Sequence, residues 1–117
     1  VYITELRTDP SPPNRTAELK FFATFANSTG SPQSYRWIVY IYRFDTPTRS
    51  TGETTQTQVN LPVGTSEQKS DGFWRLGPGN QCENFFARVA WFDQDKRTTP
   101  FARPDGKVFE KSMTLCP

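Results

Sequence analysis

Two segments of this chain carry apolar side chains at a two-residue period on both of their faces, a pattern that suits a strand covered on both sides. In residues 35–44 one face holds Tyr35, Trp37, Val39 and Ile41, and the other holds Arg36, Ile38, Tyr40, Tyr42 and Phe44. In residues 83–93, Phe85, Ala87, Val89 and Trp91 alternate with Phe86, Arg88, Ala90 and Phe92. Successive side chains of a strand point to opposite faces, so both segments are expected at the centre of a sheet.

The remaining runs are shorter and separated by turn chemistry. Residues 1–6 alternate as an edge strand, and the proline-rich stretch 9–14 ends or kinks it, because proline donates no ladder hydrogen bond. Residues 18–27 place Leu19, Phe21, Ala23 and Phe25 on one side. The threonine-rich run 54–61 reads as a half-exposed edge strand, residues 66–76 as another strand, and 107–115 as the last. A long hairpin loop is expected over 94–106. Ten prolines and seven glycines punctuate these runs and leave no convincing helix. About seven strands in 117 residues predict one all-β, immunoglobulin-like sandwich with a single core. Only 34% of residues are hydrophobic, but 15% are aromatic, and each buried aromatic removes about 150–250 Å² from water.

The two cysteines bracket the last hairpin. A loop centred near Thr99 sets an antiparallel register that puts Cys82 opposite Cys116, within reach of a disulfide. Such a bridge staples the last strand to its neighbour within one sheet, unlike the inter-sheet bridge of antibody domains, and implies an oxidising compartment. The alternative is two free thiols in a reducing compartment. The chain opens on Val1 rather than methionine, which reads as a piece of a longer protein. No run approaches the roughly 18 apolar residues of a membrane span, so no membrane insertion is expected.

The stretch Phe21-Phe-Ala-Thr-Phe-Ala-Asn-Ser-Thr-Gly30 resembles the strand and turn signature of bacterial cell-adhesion-related (CARDB-type) domains. Phe86-Ala-Arg-Val-Ala-Trp-Phe-Asp93 is similar to their penultimate strand, and Leu61-Pro-Val-Gly64 to the break before their middle strand. The chain departs from that pattern after Asp93, where Lys96-Arg-Thr-Thr-Pro-Phe101 replaces an acidic, asparagine-rich tail. The resemblance implies an extracellular or cell-surface sandwich, immunoglobulin-like or fibronectin-type-III-like, serving as a spacer or adhesion module.

Composition narrows the chemistry. The sequence holds no histidine, which removes the commonest general base and metal ligand, and paired cysteines leave no thiol nucleophile. No enzyme activity and no cofactor are expected. The net charge of +2 argues against nucleic acid, since Lys96, Arg97, Arg103, Lys107 and Lys111 are diluted by Asp93, Asp95, Asp105 and Glu110. Asp93, Asp95 and Asp105 could supply oxygen ligands to calcium, although the neighbouring bases oppose a cation. Asn14-Arg-Thr16 and Asn27-Ser-Thr29 match the glycosylation tripeptide and read as turn residues.

With Trp37, Val39, Ile41, Phe85, Ala87, Val89 and Trp91 assigned inward, one sheet exterior gathers Ile38, Tyr40, Tyr42, Phe86, Arg88 and Phe92, with Phe109 nearby. A patch of that size on a monomer is normally covered or used. Three readings are open. The face binds protein: a neighbouring domain, another surface protein or, weakly, a second copy. It binds carbohydrate, stacking sugars on Tyr40, Tyr42 or Trp74. Or it is covered, either by the loop 94–103 folding over it through Phe101 or by Lys and Arg stems.

Overall fold

A computed structural model describes residues 1–117, all in strands, turns and loops. The alternating segment after the proline-rich stretch forms β2 (Lys20–Asn27), flanked by β1 (Tyr2–Asp9) and β6 (Gly64–Lys69) in a three-stranded antiparallel sheet. The two doubly apolar segments form β3 (Gln33–Arg43) and β7 (Glu83–Phe92), which pair at the centre of the second sheet with Val39 opposite Val89. Beside β3 lie β4 (Ser50–Glu53) and β5 (Thr57–Leu61), and beside β7 lie β8 (Thr98–Pro100) and β9 (Lys111–Leu115).

Nine strands therefore occupy seven positions of an immunoglobulin-like sandwich, because both edge positions of the second sheet are interrupted. The threonine-rich run breaks at Thr54, whose hydroxyl accepts a hydrogen bond from the Val39 amide while its own amide donates to the Val39 carbonyl. Ser70, fully buried, donates to the same hydroxyl, and Asp71 N donates to Thr57 Oγ1, which ties the two sheets together at that side. In constant-type immunoglobulin domains the fourth strand joins the first sheet; here β4 and β5 stay on β3.

Four expectations need correction. The first strand runs on to Asp9, because the ladder with β2 reaches Lys20 before the prolines intervene. The predicted strand 66–76 is a strand only to Lys69. Beyond it Asp71 and Trp74 make isolated bridges to Thr55 and Leu19, and the chain then turns through Gly77, whose φ of 106° lets its amide reach the Arg15 carbonyl. The predicted loop 94–106 contains β8, and the last strand begins at Lys111 rather than at residue 107. Between β8 and β9 the chain leaves the sheet, turns at Asp105–Gly106 and returns, with Phe109 N donating to Phe101 O. At the root of this excursion Ala102 O accepts from Ile3 N, linking the second sheet to β1.

The core fills the space between the sheets. Phe21, Phe25, Trp37, Ile41 and Phe85 are all fully buried, and Trp37 meets Phe25 edge-on with ring centroids 5.1 Å apart. Trp91 and Tyr35 pack against this core from its margin. Phe101 and Phe109 also point into it, Phe101 lying 5.4 Å from Phe25 and 4.6 Å from Trp91.

Candidate functional site

The exterior of the second sheet is built by three rows of the β3–β7 ladder: Ile38 opposite Ala90, Tyr40 opposite Arg88, and Tyr42 opposite Phe86. Their exposure splits them in two. Ile38, Phe86 and Ala90 are buried, at 3%, 5% and 3%, whereas Tyr40, Tyr42, Arg88 and Phe92 keep part of their surface in solvent. Of the predicted face, Ile38 and Phe86 are therefore a floor, and the other four form the contactable layer.

That layer is ordered by stacking. Tyr42 lies face to face with Phe86, with centroids 5.0 Å apart and planes 10° apart, and Phe44 leans on the same Phe86 at 5.2 Å. The Arg88 guanidinium carbon sits 5.1 Å from the Tyr42 ring centroid and 5.3 Å from that of Phe86, while Nη2 pairs with Glu110 at 2.6 Å. Arginine over an aromatic face gains electrostatic attraction and shields the ring from water. Partial burial raises the Tyr40 phenol above its ordinary value, against a hydrogen bond shared with Thr98 that pulls it down. The hydroxyl is neutral at physiological pH and can donate or accept.

The cover over the floor is thus local. Phe101, which one of the three readings folds across this face, enters the core from the other side of the sheet, as does Phe109. Trp74 is committed as well: it meets Phe85 edge-on at 5.2 Å and lies directly over Gly52, so its ring is half-buried. A Cβ at residue 52 would overlap the Trp74 indole. Gly52→Ala is accordingly expected to destabilise the domain by about 1–3 kcal/mol, read by urea unfolding, with Trp74 fluorescence shifting to the red.

The acidic turns are satisfied internally. Asp93 Oδ1 accepts from the amides of Asp95 and Arg97, and Asp105 pairs with Arg103 and accepts from Lys107 N. No three His, Cys, Asp or Glu side chains converge as a metal site would require. Asn27 is buried and its amide donates to Ser31 O and Leu61 O, so the second glycosylation tripeptide is locked in its turn. Asn14 Oδ1 caps the amides of Thr16 and Ala17.

Cys82 and Cys116 form the disulfide, with sulfurs 2.06 Å apart. Beside it stands a charged cluster that sequence reasoning missed. Arg15, only 7% exposed, extends Nη1 to Glu83 Oε1 at 2.8 Å and to Gln81 O at 3.2 Å, and Glu83 Oε2 also pairs with Arg43. Arg15 N donates to Cys116 O. Nothing in the local sequence signals this contact, because Arg15 lies in the loop between β1 and β2, far along the chain from its partners. The hydrogen bond from Arg15, followed by that from Arg43, holds the Glu83 carboxyl below its ordinary value.

A depressed carboxylate stabilises the fold above its unfolded pKa, and that contribution disappears as pH falls through the folded value. Glu67, paired with Arg7, and Asp105 carry the same sign. The thermal midpoint should therefore fall as pH drops below about 4.5, and Glu83→Gln should lower the midpoint at pH 7 and flatten that decline. An unchanged acid slope in the variant would dismiss Glu83 as a contributor.

No protein-family model and no curated protein matches this sequence.

Proposed function

We propose that this domain is a non-catalytic interaction or spacer module of an extracellular or cell-surface protein, and that it contacts protein through the Tyr40, Tyr42, Arg88 and Phe92 face. The observation that carries this reading is the layer itself. Half-exposed tyrosines and an arginine, packed against one another over a buried apolar floor, supply contact area with polar handles. The partner is a neighbouring domain or another surface protein.

Two further points support it. The disulfide suits an oxidising compartment. The likeness to CARDB-type domains, which serve as spacers and adhesion modules, agrees with it.

The test is site-specific photocrosslinking in the whole protein as it is naturally expressed. A benzophenone side chain at Tyr40 should give a discrete crosslink to polypeptide, and the same group at Thr24, on the other sheet, should not. Equal labelling from both positions, or none from Tyr40, would remove the proposed face.

A further inference from the structure

A second surface lies at the end of the same sheet. Phe44, which follows β3, is 55% exposed and forms one wall of a groove of about 590 Å³. Asp45, Asn84, Ser112, Met113 and Thr114 also line it. The Arg43–Glu83 ion pair completes its lining.

Three properties of this groove point to one ligand chemistry. First, Phe44 has an available ring surface, since it leans on Phe86 at an interplanar angle of 57° and keeps over half of its surface in solvent. Tyr42 differs, being stacked on Phe86 and overlaid by Arg88. Second, the polar groups are uncommitted. The Thr114 hydroxyl donates to Asn84 Oδ1 at 2.6 Å, which orients the amide and leaves Asn84 Nδ2 without a protein partner. Ser112 Oγ and the Asp45 carboxylate, both exposed, take no hydrogen bond within the protein. Third, the charges nearly cancel: Arg43 and the buried Arg15 stand against Glu83 and Asp45.

An exposed ring beside free amide, hydroxyl and carboxylate groups matches a neutral polyhydroxylated ring. The apolar C–H face of a pyranose packs on an aromatic, and its vicinal hydroxyls both donate to a carboxylate and accept from an amide. A volume of this size falls within the roughly 300–1,000 Å³ of small-ligand sites. Neither an anion nor a cation finds an excess of opposite charge here. We infer that the Phe44 groove is a saccharide-binding subsite, with Phe44 as the stacking platform and Asn84, Ser112 and Asp45 as hydrogen-bonding groups. It is separate from the Tyr40–Arg88 contact, and its failure would leave that reading standing.

The experiment is a ¹⁵N–¹H NMR titration of the oxidised domain with cellohexaose, chitohexaose, xylohexaose, mannohexaose and laminarihexaose. Each is taken to about 10 mM, beyond the Kd of about 1 mM expected of one stacked ring with a few hydrogen bonds. At least one should shift the amides of Asn84, Ser112 and Thr114 in a saturable manner. Phe44→Ala should weaken that binding about tenfold, whereas Tyr40→Ser should change it less than about twofold. Should Phe44→Ala fail to fold, Asn84→Ala, at an exposed position, is expected to show the same loss. No shift with any of the five sugars, shifts confined to another surface, or undiminished binding by both groove variants would overturn the assignment.

Discussion

Cys82→Ser with Cys116→Ser should lower the stability of the domain by about 3–4 kcal/mol and its thermal midpoint by about 12–20 °C. The bridge spans 34 residues, and closing a loop of that length removes this much conformational entropy from the unfolded chain. In the folded state it fixes the end of β9 against the start of β7, where Glu83 pairs with Leu115. Two contacts survive the substitution: Arg15 N still reaches the residue 116 carbonyl, and the β7–β9 ladder remains intact. The variant should therefore stay folded at low temperature, with native near-ultraviolet dichroism but a lower urea midpoint. A loss smaller than about 1 kcal/mol would mean that the unfolded chain is already held compact, and that the staple contributes little.

Phe101→Ala is the second large effect, at about 3–5 kcal/mol. Phe101 is 1% exposed and touches aromatic rings from both sheets: Phe25 at 5.4 Å, Tyr35 at 5.3 Å and Trp91 at 4.6 Å. It enters the core where the chain leaves β8, so truncation opens a cavity that the surrounding strands cannot refill. Phe73→Ala, at a ring 47% exposed, should cost no more than about 0.5–1 kcal/mol and serves as the comparison. Equal costs for the two substitutions, measured by urea unfolding, would place Phe101 on the surface.

Phe101 also shows where the sequence stops being legible. The central strands could be read because their alternation extends over ten or more residues, and the structure places Trp37, Val39, Ile41, Phe85, Ala87 and Val89 in the core as that pattern predicts. Residues 94–106 hold only isolated apolar side chains among charges and prolines, so periodicity gives no face for Phe101. Its direction is set by the register of β8, a tertiary fact.

The Cys82–Cys116 pairing was legible for a subtler reason. β8 pairs as part of a hairpin centred near Asp95, with Trp91 opposite Thr99, whereas β9 pairs in the register centred on Thr99, with Phe85 opposite Met113. The excursion between them absorbs the offset, so a single-hairpin argument finds the right partner for Cys82 without foreseeing β8.

The exterior of the second sheet was legible in part. Alternation grouped Ile38, Tyr40, Tyr42, Phe86, Arg88 and Phe92 on one side; the structure keeps the first five together in the β3–β7 ladder, while Phe92 lies beyond it, opposite Thr98 and beside Arg36. It could not say which of them lie beneath the others. That depends on how far neighbouring side chains reach across strands, as Arg88 does over Tyr42 and Phe86. The Arg15–Glu83–Arg43 cluster and the Phe44 groove were not legible, since each joins residues from segments that only the folded topology brings together.

The account divides β3 and β7 into an inner face that holds the fold and an outer layer free to make contacts. The most direct measurement is the thermal melt of Tyr40→Ser with Tyr42→Ser, set beside that of Phe101→Ala. Half-exposed rings over an already buried floor should cost well under half the midpoint shift of the core variant, leaving a folded domain that has lost its contact surface. A shift as large as that of Phe101→Ala would contradict the account, because it would show the outer aromatics to be a second core.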